Sequence, residues 1–110
     1  MTSSAADGAL HNEPGNPMKF RNKKVTVLID VRSRLEFFFG HMPGAMCIPL
    51  TKINGAALES RDIARDAGIL VYCASGSRSA VAVQALKQAG YTRVMDGGGL
   101  ADVRRNLRED

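Results

Sequence analysis

Ile69-Leu70-Val71-Tyr72 is a continuous apolar run that stops at Cys73 and gives way to Ala74-Ser75-Gly76-Ser77-Arg78-Ser79. A β-branched, unbroken apolar run of this length suits a strand buried on both faces of a parallel sheet. Beyond the small residues, Ala80, Ala82, Gln84, Ala85, Leu86, Lys87 and Gln88 predict a helix that opens near Arg78 or Ser79 and runs to Ala89, with Gly90 as its stop. The stretch therefore reads as strand, tight loop, helix. In open α/β sheets ligands bind at the carboxyl ends of strands, and Cys73 stands at that place.

The same alternation extends in both directions. Val25-Thr26-Val27-Leu28-Ile29 predicts a second buried strand. Ser33 with Glu36 three residues later matches a capping box, and Gly40 supplies a left-handed stop for the helix between them. A short strand is expected over Ala45 to Ile48, closed by Pro49. Residues 51–67 read as two helical pieces, interrupted near Asn54-Gly55 and Glu59-Ser60. Tyr91 to Met95 predicts another strand, followed by a loop over Asp96-Gly97-Gly98-Gly99 and an amphipathic segment ending in Arg104 to Arg108. Strand alternating with helix predicts an α/β fold, a central parallel sheet with helices on both faces.

The chain has 110 residues, 45% apolar and 24% charged, which suits one domain with one core. Residues 1–17, rich in Ser, Ala, Gly, Asn and Pro, read as a flexible lead, leaving 18–110 as the working domain. No apolar run approaches the ~20 residues that span a bilayer, and no secretory pattern opens the chain. Lys and Arg outnumber Asp and Glu by 15 to 11, an excess that suits a small anionic substrate or simple solubility. Two cysteines cannot staple a disulfide-rich secreted fold.

Cys73 has the surroundings of a nucleophile. Small residues let the loop curl and turn its N–H groups inward, Gly76 tolerates a positive φ, and the following helix adds free N–H groups and its positive dipole end. Such a ring binds an anion and favours thiolate over thiol. Arg78 brings a permanent charge and planar donors. Cys73 is expected to have a lowered pKa and to act without a histidine base; the plainer reading is a small buried apolar side chain.

These motifs are similar to those of the rhodanese family. Leu28-Ile29-Asp30-Val31-Arg32, Glu36-Phe37, Gly40-His41-Met42-Pro43-Gly44-Ala45 and Ile48-Pro49 resemble its opening motifs. Cys73-Ala74-Ser75-Gly76-Ser77-Arg78-Ser79 resembles its active-site loop, and Gly90-Tyr91, Val94 and Gly97-Gly98 its closing signature. The resemblance, over about residues 25 to 100, is to single-domain thiosulfate sulfurtransferases of the bacterial type. It implies a ping-pong reaction in which Cys73 takes the outer sulfur of thiosulfate, or of a similar donor, as a persulfide and passes it to cyanide or a thiol, including a thiol on a protein. It also implies substrate-binding roles for Ala74, Ser75, Gly76, Ser77, Arg78 and Ser79, with Asp30 and Arg32 bracing the active loop. No metal and no organic cofactor is expected; nor is a nucleic-acid or membrane partner. A cytoplasmic monomer is the expected form.

Two alternatives are weighed beside this one. Cysteine-dependent phosphatases share the architecture but place five residues between Cys and Arg, against four here, and a non-catalytic binding module would not need the nucleophile. Cys47 is either a small core residue or a partner that resolves a Cys73 persulfide or disulfide. His41 reads as a turn residue rather than a base, Phe37 as a core aromatic, and one of Phe38 and Phe39 as exposed. Arg104, Arg105 and Arg108 favour a helix C-terminus and, without interleaved aromatics, no nucleic-acid site. The chain departs from the family in lacking a Trp after the closing glycines and in a shortened segment before Asp30.

Overall fold

The computed structural model describes residues 18–109, so the expected lead lies outside the described residues. Strands β1 (Met18–Phe20) and β2 (Lys23–Val25) form a hairpin, then β3 (Val27–Asp30), α1 (Arg34–Phe38) and β4 (Met46–Cys47) follow. A 3₁₀ turn at Leu50–Lys52 and α2 (Gly55–Glu59) lead to β5 (Ile69–Cys73) and α3 (Ser77–Gln88). The chain closes with β6 (Val94–Gly99), α4 (Leu100–Asn106) and β7 (Leu107–Glu109).

The expected parallel sheet is present, with order β4-β3-β5-β6. One face carries Ile29, Val71 and Cys73 against Leu58 of α2 and Ala82, Val83 and Leu86 of α3. The other carries Leu28, Leu70 and Tyr72 against Val103 of α4 and the side chains Met18, Phe20 and Val25. That second face is thus covered largely by a small antiparallel sheet, order β2-β1-β7, rather than by helices alone.

The apolar run Val25–Ile29 is not one strand. Val25 belongs to the antiparallel hairpin, and the parallel strand begins at Val27. The N–H groups of Thr26 and Val27 both donate to the Gly68 carbonyl, at 2.8 and 3.0 Å, which carries the chain from one sheet to the other. Gly68 has no alternative there, because a Cβ would lie 2.2 Å from the Lys24 carbonyl oxygen. Residues 51–67 hold only one short α-helix, its start capped by the Asn54 side chain accepting from the Ala57 N–H at 2.8 Å. The strand expected over Ala45–Ile48 pairs only at Met46–Cys47.

The largest correction falls at the C-terminal end. Residues 91–93 lie outside any strand, with Tyr91 buried in the core and its N–H bonded to the Leu86 carbonyl. The strand runs from Val94 through Asp96-Gly97-Gly98-Gly99, the segment expected to be a loop. Glycine weakens an isolated strand, but here contact forbids a side chain. A Cβ on Gly97 would meet the Val103 methyl at 2.8 Å, and one on Gly99 would meet the Ala74 carbonyl oxygen at 2.5 Å. Gly97 is the extra residue where the pairing with β5 shifts register between Val71 and Tyr72.

Gly99→Ala is expected to push the 74–79 loop off β6 and to cost about 2 kcal/mol, since the opposing atom is backbone and cannot rotate away. Urea unfolding of the variant beside the parent checks this; an unchanged midpoint would show that the contact gives way freely.

Candidate active site

β5 delivers Cys73 to the carboxyl end of the parallel sheet, and Gly76, at φ +105°, turns the chain straight into α3. That turn brings backbone donors onto one atom. The Gly76 N–H lies 2.9 Å from Cys73 Sγ and the Ser79 N–H 3.4 Å from it, and the Ser75 N–H also bonds it. Ser79 Oγ stands 3.6 Å from the same sulfur. Cys73 is wholly buried, so the ring of donors is filled by the sulfur itself.

Burial by itself would raise the Cys73 pKa. The hydrogen bonds from the Ser79 N–H and hydroxyl, and from the N–H groups of Gly76 and Ser75, outweigh it and hold the thiol below its ordinary range. The residue types expected to favour a thiolate thus do so by backbone geometry, and among the described residues no histidine takes part. His41 is exposed, stacks on Phe37 at 3.6 Å and meets the Phe37 carbonyl through Nδ1. Phe37 itself is only half-buried, outside both core clusters, while Phe38 and Phe39 are both exposed.

Of the other residues expected at the site, Ala74, Ser75 and Ser77 line the exposed side of the loop and Ser79 lies beneath it. Arg78 is not aimed at the sulfur. Its Nη1 and Nη2 donate to the two Glu36 oxygens at 2.7 and 3.0 Å, joining the start of α3 to α1. Glu36 also accepts from the Ser33 N–H at 2.9 Å while Ser33 Oγ accepts from the Glu36 N–H, the expected capping box. Asp30 and Arg32 pair with each other in the core: Arg32 Nε donates to both carboxylate oxygens at 3.1 Å, and Nη2 to one of them at 2.8 Å. Nη2 further donates to the Gly40 carbonyl at 2.6 Å. They fix the chain that carries α1, and reach the active loop through the Glu36–Arg78 pair rather than directly.

Asp96 went unnoticed in the sequence. Its Oδ1 accepts from Ser79 Oγ at 2.7 Å and from the Gly98 N–H at 2.9 Å. Ser79 has one hydroxyl hydrogen and three acceptors within reach, the Asp96 carboxylate, the Gly76 carbonyl at 3.0 Å and the sulfur: while it serves either oxygen, its own oxygen is free to accept from the Cys73 thiol, and when it turns to the sulfur it supports a thiolate. An acidic residue before three glycines carries no signature of this; only the strand placed beside β5 makes it a neighbour.

Cys47 is half-buried on β4, its Sγ 3.8 Å from the Arg32 carbonyl oxygen, and burial raises its pKa. β3 stands between β4 and β5, and Cys47 registers with Asp30 and so with Tyr72, on the sheet face opposite Cys73. Two strand spacings make about 10 Å, beyond the ~7 Å between Cα atoms that a disulfide spans. The resolving role is therefore ruled out within one chain. Among the described residues no group of three or more His, Cys, Asp or Glu could hold a metal ion, and no helix is long and apolar enough to cross a membrane.

A parallel β-α sheet with a cysteine at the carboxyl end of a central strand, cradled by the loop that follows, defines the class. The rhodanese-like domain family matches over residues 18–102, and the chain belongs to that family. It is 35% identical over 83 residues to a sulfurtransferase of Allochromatium vinosum, an alignment that covers 74% of this chain and 75% of that protein. It is 33% identical over 90 residues to an uncharacterised protein of Synechocystis sp., covering 80% of this chain but spanning only about half, 49%, of that relative's length. Among solved structures, a rhodanese with anions from E. coli matches with TM-score 0.66 and 30% identity, over 76% of this chain and 98% of that one.

The two thiols should titrate on opposite sides of the ordinary value of about 8.5. Alkylation rate against pH, followed by peptide mass, should show Cys73 with a midpoint below it and Cys47 above it; coincident midpoints would contradict the donor ring.

Glu36 is held at about 2, first by the Arg78 guanidinium and then by the Ser33 N–H. A depressed carboxylate contributes stability above its unfolded pKa of about 4.3 and loses it as pH falls toward 2. Both partners are about a third exposed, so water screens the pair and its worth is about 1 kcal/mol. Glu36→Gln should therefore destabilise by about that much at pH 7, with the gap closing by pH 2 in parallel urea titrations.

Proposed function

We propose that this protein is a sulfurtransferase that moves a sulfane sulfur from thiosulfate, or a similar small anionic donor, to a thiophilic acceptor through a Cys73 persulfide. The observation that carries the reading is the convergence of the Ser75, Gly76 and Ser79 N–H groups on Cys73 Sγ. A thiolate stabilised in this way is a nucleophile at neutral pH, and the same donors favour the negative charge of a persulfide.

In the first half-reaction the Cys73 thiolate attacks the outer sulfur of thiosulfate. The S–S bond of the donor breaks, and its electron pair leaves with sulfite. In the second, cyanide or a thiolate attacks the outer persulfide sulfur, the Cys73 S–S bond breaks, and the Cys73 thiolate returns. No electron or proton acceptor is needed beyond these reactants. Because Cys73 is buried, the exposed Ala74, Ser75 and Ser77 stretch of the loop is the side from which a donor enters. Ser75 and Ser77 supply hydroxyls there, and Arg78 holds the loop's far end to α1 rather than binding the donor alone. Every group in the proposed site comes from one chain, so a monomer suffices. A reducing cytoplasm would keep the thiol ready and provide acceptors.

The support from relatives is one of family: the Allochromatium relative is a sulfurtransferase, and the E. coli rhodanese is described with anions. Four residues separate Cys73 from Arg78, one fewer than in the phosphatases. Incubation with thiosulfate should add one sulfur atom to the intact mass, and cyanide should then release thiocyanate and restore the original mass. Cys73→Ser should abolish both. Hydrolysis of an aryl phosphate without any sulfur adduct would replace this reading by the phosphatase one, and neither reaction would leave a binding module.

A further inference from the structure

The opposite end of the sheet collects the charge that the active loop does not use. Beside β6, the edge strand of the parallel sheet, lies a hollow of about 390 Å³ whose walls come from three separate elements. The β1–β2 hairpin contributes Lys23 and Lys24, the last turn of α3 contributes Lys87, and the approach to β6 contributes Arg93, with Val94 and Met95 as the floor. A second hollow, of about 270 Å³, shares Lys23, Lys87, Val94 and Met95 with the first and adds Arg21. The two form one groove.

None of the four side chains Lys23, Lys24, Lys87 and Arg93 has a hydrogen bond or ion pair to a described residue, whereas Arg32, Arg65, Arg78 and Arg105 are each paired with a carboxylate. A lysine on an edge strand guards against aggregation, and one at a helix C-terminus favours the dipole. Each of these explains one residue, not four cations from three elements turned toward one concavity, where they repel one another without compensation. The edge also offers backbone donors. The Ile69 N–H donates to the Arg93 carbonyl at 2.9 Å, so in a parallel ladder the intervening Val94 N–H points away from β5, to a side where no described strand lies. The one carboxylate at the rim among the described residues, Asp96, is engaged by Ser79 and Gly98.

We infer that this groove is a binding site for a compact polyanion carrying several adjacent phosphate groups, separate from the sulfur site. Its size lies at the small end of ligand pockets, which fits a short phosphate chain better than an extended macromolecule. Among the described residues no exposed aromatic lines it, Phe20 being buried, so they offer no platform for stacking a base, and recognition rests on the phosphates. Val94 pairs with Ile69, four residues before Cys73 on β5, which sets the groove about 13 Å from the sulfur. The phosphate chain could be inorganic or the tail of a nucleotide.

Calorimetric titration of the full chain at about 150 mM salt, where free surface charges are largely screened, tests this with tripolyphosphate, ATP and adenosine as probes. Tripolyphosphate is expected to bind, and ATP with similar affinity, while adenosine does not; ATP binding at least tenfold tighter than tripolyphosphate would mark the nucleotide tail as the source. The double variant Lys23→Gln/Lys87→Gln should lose about tenfold or more in affinity, while Lys23→Arg retains binding. Both variants should keep the parent's circular dichroism and Cys73 alkylation rate, since neither residue touches the sulfur site. Absence of tripolyphosphate binding would overturn the inference, as would binding indifferent to the double variant, or binding of a short single-stranded RNA but not of tripolyphosphate.

Discussion

The rest of this structure depends on keeping three backbone N–H groups within hydrogen-bond reach of one sulfur atom. Ser75, Gly76 and Ser79 can meet at Cys73 Sγ only if the chain reverses within a few residues of β5, and that reversal requires Gly76 at φ +105°. It also requires β6 to lie hard against the loop, with Gly99 so near the Ala74 carbonyl that no side chain fits between them. The sulfur is then both ligand and occupant of its own cradle. Hydrogen bonds to a buried anion are strong because the surroundings are poorly polarisable, and costly if left unmade for the same reason. The loop therefore has little freedom to relax.

Such a loop is held from outside. Asp30 and Arg32 form a buried pair whose spare donor grips the Gly40 carbonyl, which fixes the chain on either side of α1. A helix of five residues with no buried side chain has little reason to persist alone. It persists because Ser33 and Glu36 cap each other, and because Glu36 serves the cap and Arg78 together. One carboxylate thus ties the start of α1 to the start of α3, and a buried ion pair in the sheet reaches the active loop by way of an exposed one.

How much of this was legible in the sequence follows from the range of each interaction. The strand ending at Cys73, the left-handed Gly76, the Ser33–Glu36 box and the length of α3 are all set by residues within a few positions of one another, and the residues alone announce them. The division of Val25–Ile29 was not legible, because it is made by the carbonyl of Gly68, 42 residues away from Thr26 in the chain. The strand through Asp96–Gly99 was hidden for a related reason. Three glycines look like a loop until the neighbours that forbid a side chain are in place, and Asp96 becomes part of the sulfur's surroundings only through that strand. Arg78 shows the converse case: the residue was identified, but Glu36 was credited only with capping, so the ion pair that engages the guanidinium was not foreseen.

Charge is distributed in a way the total of +4 conceals. At the reactive end the Arg78 guanidinium beside the loop is neutralised by Glu36, and what lowers the Cys73 pKa is a set of peptide dipoles and one hydroxyl. At the other end of β6 four cations without a partner among the described residues stand around a hollow. The two cysteines make the same point at closer range. Cys47 and Cys73 lie on opposite faces of one sheet, burial raises the pKa of the first, and donors overcome burial at the second. A formal charge is mobile, screened by salt and tolerant of its exact place, whereas a backbone N–H is fixed by the fold and is worth most where water is excluded. A reaction centred on a single sulfur atom needs the second kind of field, and a site that only gathers an anion from solution is served by the first.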